Sequence, residues 1–330
     1  MYGGNREDKE VEEMSFRVMT RARRSLAPFA VGVGIAALLL ATLAGCAGGA
    51  TSSGGSGKIT LTDDNGDTLV LDRPADRIVS LAPGNTEIVY GVGAQDKLVG
   101  VTTYCDYPPA AKKKKKIGDF STPNTEKIAS VNPQVVLVTG GLQKGMVDSL
   151  NKLGIKTFMI NPKSFEGLFK DMKAVGTIAG VKDKASKAVD AMRKKVNAIQ
   201  AKARDLPKTS VFFEIYKQPL MTAGSGSLID LMITSAGGNN IGATAGPQFP
   251  QFSEEQLLKE NPDVYVAVKG SMGDPADISK RPGYSTLKAV KDGRVFVVED
   301  NPYTRAGPRL VQGLQQLAEI LHPEVFLEQK

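Results

Sequence analysis

The sequence has no tryptophan, a single histidine and only two cysteines. One histidine excludes a zinc or iron centre built on several imidazoles, and two cysteines are too few for a disulfide framework, so no resident metal is expected. Neither a Gly-x-Ser-x-Gly elbow nor a Gly-x-x-x-x-Gly-Lys-Ser/Thr loop occurs, and His322 would be the sole imidazole base for any nucleophile triad. No catalytic residue is therefore expected. After residue 45 there is no further apolar stretch of the roughly 18 residues that a membrane span needs. The excess of 42 Lys+Arg over 35 Asp+Glu is spread along the chain, which argues against a nucleic-acid partner. What remains at 330 residues and 41% apolar content is one large or two modest domains, built for binding or for non-metal chemistry.

The N-terminus reads as an address. Arg21, Arg23 and Arg24 precede an apolar run from Ala27 to Leu43, which ends in Leu43-Ala44-Gly45-Cys46. A basic segment held on the cytoplasmic side, an apolar segment that enters the bilayer and small residues before a cysteine make a lipoprotein signal peptide. Residues 1–45 are expected to be removed and Cys46 to carry the lipid, with Met14 or Met19 a more ordinary start than Met1. A diacyl thioether supplies two acyl chains, enough for stable attachment to a bilayer. Residues 46–57 then form a tether of Gly, Ser, Ala and Thr.

The body alternates strand and helix. Ile59, Leu61, Leu69 and Leu71 alternate around Asp64-Asn65-Gly66-Asp67, which predicts a β-hairpin. Short β-branched runs at 78–81, 98–101, 135–138 and 157–160 are separated by helical stretches at 86–90, 125–130 and 146–153. That order implies a parallel sheet covered by helices. From Phe165 to Arg204 the pattern is helical, broken around Gly180 and ended by Pro207. The alternation resumes with strands at 210–216, 264–268 and 295–298 and helices at 227–236, 254–259, 286–290 and 308–321. The expected organisation is an N-terminal α/β lobe at 58–168, a bridging helix at 169–206 and a C-terminal α/β lobe at 207–330. The fold class is thus α/β, two Rossmann-like lobes joined by one long rigid helix.

Open α/β lobes bind ligands where loops leave the carboxyl ends of their strands. The loops at 82–87, 104–109, 118–120, 139–141, 216–221, 247–252 and 300–305 carry many of the chain's 20 Phe and Tyr residues. A cleft lined with aromatics suits a large, partly apolar small-molecule ligand. Lys112–Lys116, five lysines in a row, read as a solvated loop.

Several of these segments together resemble a known family. Arg77-Ile78-Val79-Ser80-Leu81-Ala82-Pro83-Gly84-Asn85-Thr86-Glu87, Tyr104 through Pro109, Asn124-Thr125-Glu126-Lys127-Ile128 with Asn132-Pro133, Ser253-Glu254-Glu255-Gln256-Leu257 and Arg305-Ala306-Gly307-Pro308-Arg309 are similar to the cobalamin and ferric-siderophore binding proteins of ABC importers, most of all the vitamin B12 branch. The resemblance runs from about Asp76 to the C-terminus. It implies two lobes on a rigid helix, little hinge closure, a monomer, and a corrinoid held between the lobes as cargo, with no cofactor of its own. It also implies ligand contacts from Tyr104, Phe120 and Phe249, with the backbone at Gly84 close to the ligand. Thr139, Ile215 and Met221 stand at positions where the family has aromatics, and Tyr216 is the neighbouring substitute. Asn301 or Asp300 would accept from a corrin amide or ribose, beside Tyr303 and Arg305. Glu126 and Glu255, one per lobe, would dock on arginines of the permease dimer that works with the ATPase subunits; Thr125 and Ser253 are the expected caps of their helices.

Two other ligands fit the same fold. A ferric siderophore would call for cleft cations, with Arg305 and Lys217 the candidates, and haem would call for an iron ligand such as Tyr104 or Tyr107. Cys105, the one thiol left after lipidation, is expected to be inert packing, with cobalt ligation the sharper alternative.

Overall fold

The computed structural model describes residues 58–269 and 275–327, so the expected signal peptide, Cys46 and the expected tether lie outside the described residues. The chain opens with the expected hairpin, β1 (Ile59–Thr62) antiparallel to β2 (Thr68–Leu71). Its turn is fastened to the first lobe by two carboxylates. Asp63 accepts from the Met159 amide at 2.9 Å and Asp64 from the Asn161 amide at 2.8 Å.

The first lobe contains β3 (Ile78–Ser80), α1 (Pro83–Gly91), β4 (Leu98–Val101), α2 (Thr125–Ala129), β5 (Val135–Thr139), α3 (Lys144–Lys152) and β6 (Thr157–Ile160). Its four strands are parallel in the order β4-β3-β5-β6. Val135 to Val138 are all buried, as expected of a central strand covered on both faces. The N-cap of α2 is Asn124, whose side chain accepts from the Lys127 amide at 2.8 Å, and not Thr125 as the sequence suggested. Asn124 is extended (φ −89°, ψ 111°), the geometry a capping side chain requires.

The helical stretch expected to form one bridge from 169 to 206 is two helices, α4 (Phe165–Ile178) and α5 (Lys182–Ala203). The chain turns at Gly180 (φ +70°), where a side chain would be strained. α4 starts at the Ser164 cap, which accepts from the Gly167 amide, and packs against α1 and β1, so it belongs to the first lobe. α5 alone makes the bridge. Its 22 residues span about 33 Å. Ala185, Val189, Val196, Ile199 and Ala203 form its buried stripe, spaced three, four and seven residues apart so that they share one face.

The second lobe follows with β7 (Thr209–Tyr216), β8 (Met221–Thr222), α6 (Leu228–Ser235), β9 (Gly238–Asn240), α7 (Glu254–Glu260), β10 (Val264–Lys269), α8 (Lys288–Lys291), β11 (Val295–Glu299), α9 (Asn301–Thr304), α10 (Leu310–Leu321) and α11 (Pro323–Phe326). Its sheet runs β11-β10-β7, with β8 antiparallel and β9 parallel to β7. β8 and β9, of two and three residues, carry too little periodicity to be read from sequence. The largest apolar cluster is continuous from Ile78, Ile88 and Leu137 through Val189 and Val196 on α5 to Val211, Phe213 and Leu317. The lobes therefore share one core along the bridge.

Candidate functional site

A cavity of about 590 Å³, open to solvent, lies between the lobes at the carboxyl ends of their strands. That volume is in the range of small-molecule sites. From the first lobe it is lined by 82–85 after β3, Tyr104 after β4, Phe120 and Ser121, Thr139 at the end of β5, and 161–163 after β6. From the second it is lined by Gly226, Leu228, Gln248, Phe249, and, after β11, by Asp300, Asn301 and residues 303–306.

The seam below the cavity is tight. A Cβ added to Gly84 would lie 2.6 Å from the Ala306 carbonyl oxygen, so glycine is the residue that lets α1 meet the second lobe. Glu87, buried on α1, accepts two hydrogen bonds from Arg309 at 2.6 and 2.9 Å. Arg309 also stacks on the Tyr107 ring, 4.1 Å from its centroid. Beside this pair, Arg305 donates to Asp106 at 2.5 Å and lies 3.6 Å from Glu87. Burial pushes the Asp106 carboxyl up, but the hydrogen bond and charge of Arg305 outweigh it and hold the group below its ordinary value. Both arginines are thus committed to carboxylates across the seam.

Of the residues expected at the ligand, Gly84, Tyr104, Phe120, Phe249, Asn301, Tyr303 and Arg305 meet at this cavity. Tyr104 is 56% and Phe249 42% exposed, so each ring offers a bare face to the cleft. Phe120 is half-buried. Tyr303 is at the cavity but fully buried: its ring packs on Phe213, its hydroxyl donates to Gln316 at 2.7 Å, and burial pushes that phenol well up. Tyr216 and Met221 do not line the cavity. They pair with each other where β7 turns back into β8, and Met221 also bridges to Gln251. Ile215 and Lys217 likewise lie outside the lining, whereas Thr139 is part of it.

Three lining or supporting residue groups were not singled out by the sequence, though one of them, Gln248, lies in the expected cleft loop at 247–252. Asn161-Pro162-Lys163 enters the cavity directly after β6. Gln248 reaches it from the second lobe. Behind the first-lobe wall, the buried side chain of Gln143 donates to Leu81 and Phe120 carbonyls at 2.7 and 2.9 Å and accepts from the Thr139 amide at 3.1 Å. One amide thus fastens three cleft loops, and Asn85 adds a bond to the Val138 carbonyl at 3.1 Å.

Cys105 is fully buried and outside the lining; its sulfur lies 3.1 Å from the Thr86 hydroxyl and 3.2 Å from that of Thr102. The thiol therefore packs in the wall, consistent with the inert packing its sequence position suggests. His322 is buried at the junction of α10 and α11, 3.4 Å from the Gly237 carbonyl, and also lies outside the cavity. Among the described residues no cluster of His, Cys, Asp and Glu could hold a metal. Glu126 and Glu255 are exposed in the first turns of α2 and α7; Ser253 does cap α7, accepting from the Gln256 amide. In the lysine run, Lys114 donates to the Gln95 carbonyl and Lys116 to that of Cys105, leaving Lys112, Lys113 and Lys115 exposed.

Residues 78–302, which include both lobes and most of the cavity wall, match the family described as periplasmic binding protein. The chain belongs to the periplasmic binding protein family. Such proteins hold a solute and hand it on without transforming it, so this periplasmic binding protein is not an enzyme. It is 34% identical over 310 residues to YvrC of Bacillus subtilis, an uncharacterised ABC transporter substrate-binding lipoprotein, covering 89% of this chain and 98% of that one. Among solved structures it resembles the vitamin B12-binding protein BtuF of Vibrio cholerae, with TM-score 0.68, 26% identity and coverage of 78% and 99%. It also resembles the haem-binding protein RhuT of Roseiflexus, with TM-score 0.68, 25% identity and coverage of 76% and 99%. This periplasmic binding protein is the substrate-binding component of an ABC importer. Among the described residues no helix is long and apolar enough to cross a membrane.

Proposed function

We propose that the protein captures a corrinoid such as cobalamin between its lobes and delivers it to an ABC permease while anchored by a lipid on Cys46. The observation that carries this reading is the opposition of Tyr104 and Phe120 on one lobe to Phe249 on the other, around a cavity whose arginine is already neutralised. A corrin offers a broad apolar face and amide edges, so aromatic rings supply contact area while Asn301, Asp300 and Gln248 meet the amides. An anionic ferric siderophore would instead need several free cations, and Arg305 is held by Asp106 and Glu87. The similarity to a vitamin B12-binding structure supports the same choice. The Leu43-Ala44-Gly45-Cys46 sequence and the similarity to a lipoprotein support the anchor. Glu126 and Glu255 are the carboxylates offered to the permease, where facing charges set register and encounter rate. A monomer on its tether suffices for this role.

Calorimetric titration of the chain lacking residues 1–46 with cyanocobalamin tests the ligand. Saturable one-to-one binding in the nanomolar to low micromolar range is expected; no heat with cyanocobalamin, together with binding of haemin or a ferric siderophore, would overturn it. Haem is the second reading, favoured by the exposed Tyr104 ring in the cleft and by the similarity to a haem-binding structure, and a Soret band on haemin addition would mark it.

A further inference from the structure

Among the described residues three charged side chains line the cavity, and they are not equivalent. Arg305 is bound to Asp106 and lies 3.6 Å from Glu87, so its charge is balanced within the protein. Asp300 stands on the second lobe. Lys163 stands on the first, in the loop between β6 and α4, and its ammonium has one protein partner, the neutral Asn161 side-chain oxygen at 3.2 Å. Among the described residues no carboxylate pairs with it. Lys163 also precedes the Ser164 cap of the 14-residue helix α4, whose amino end carries the same sign of charge. Among the described residues the cleft therefore presents one free cation, Lys163 on the first-lobe rim, to whatever enters it.

We infer that Lys163 is a specificity-determining residue that takes the phosphodiester of a complete corrinoid, and so orients the ligand with its nucleotide arm toward β6 and α4. This inference rests on the corrinoid reading and refines it. A cobalamin carries its positive charge at the cobalt-corrin core and its one fixed negative charge on the phosphate linking the ribose to the side chain of the ring. A single free cation matches that pattern. Haem, with two propionates, would leave one carboxylate without a cation. A Lys–phosphate contact at an exposed rim is a point-charge interaction, screened by salt and of moderate strength.

The test is a titration of the chain lacking residues 1–46, wild type and Lys163→Gln, with cyanocobalamin and with dicyanocobinamide, which has the corrin but no phosphate, ribose or base. Lys163→Gln should weaken cyanocobalamin binding by roughly five- to tenfold, as expected for loss of one charged hydrogen bond at a partly exposed site. Its affinity for dicyanocobinamide and its thermal midpoint should stay as in wild type. Lys163→Arg should restore most of the loss, and raising the salt concentration should narrow the gap between wild type and Lys163→Gln. Equal losses for both ligands, or none for either, would overturn the role of Lys163 while leaving the corrinoid reading in place. Failure of the wild type to bind either corrinoid would overturn both.

Discussion

Glu87 and Arg309 join the two lobes through a bidentate pair, 2.6 and 2.9 Å long, with the carboxylate almost wholly buried. Cutting one partner leaves a buried charge without its counterpart. Arg309→Ala should lower unfolding stability by about 3–5 kcal/mol, the range for broken buried pairs. The Glu87→Gln/Arg309→Ala double variant should lose less than the sum of its parts, because the first change removes the stranded charge. Urea unfolding of the four proteins measures both terms; additive losses would show that the pair is not coupled.

Tyr104 and Phe249 expose much of their rings to the cleft while contributing little to the core. Tyr104→Ala and Phe249→Ala should each weaken corrinoid binding by about 0.5–1.5 kcal/mol, the worth of one aromatic contact, and leave the thermal midpoint within a degree or two. Titration beside a thermal melt separates the two. A large fall in midpoint with no change in affinity would place the rings in the fold instead of the ligand site.

Asp171 on α4 is fully buried, and burial first, then the neighbouring Asp64, push its pKa from 3.8 to about 8. A carboxyl that holds its proton more tightly when folded makes the folded state favourable at low pH, and that contribution is lost as pH rises from about 4 through 8. Asp171→Asn keeps the shape and removes the titration. It should leave stability at pH 4 nearly unchanged and raise it at pH 9 by an amount on the order of a few kcal/mol. Urea midpoints across that range check the sign; equal effects at both ends would show that Asp171 does not titrate in the window.

Glu126 and Glu255 lie in first turns of capped helices on different lobes, exposed and clear of the cavity. The Glu126→Ala/Glu255→Ala variant should abolish most ligand uptake through the cognate permease and leave ligand affinity unchanged. Transport into permease-bearing vesicles alongside a binding titration distinguishes docking from capture. Stability should shift by no more than about 1 kcal/mol, the helix-dipole term for a first-turn carboxylate.

The parts of this protein that were legible in the sequence are those fixed by local periodicity. Val135–Val138 and Val264–Val268 are runs of β-branched and apolar residues, and only a doubly covered strand hides such a run. The loops between such runs and the following helices were legible for the same reason, Tyr104 after β4 and Thr139 at the end of β5 among them. Tyr216 and Met221, expected at the ligand, lie outside the cavity lining, because β7 doubles back into β8 through a pairing that no periodicity announces. Lys163 looked like any other lysine until the fold brought β6 beside the cavity. Gln143 was silent because its three partners lie 4, 23 and 62 residues away. The boundary between α4 and α5 turned on a single backbone angle at Gly180, and helix propensity on either side of it is too similar to say which lobe each helix serves.

The contact of Gly84 with Ala306, made without room for even a methyl group, also bears on traffic at the transporter. A carrier whose halves are pinned along that line and tied again by Glu87 and Arg309 is expected to keep nearly one silhouette, full or empty. The importer then meets vacant and loaded carriers as rivals for the same berth. Uptake in such a system is governed by the ratio of carrier to solute outside the membrane, and overproduction of the carrier should slow import when cargo is scarce.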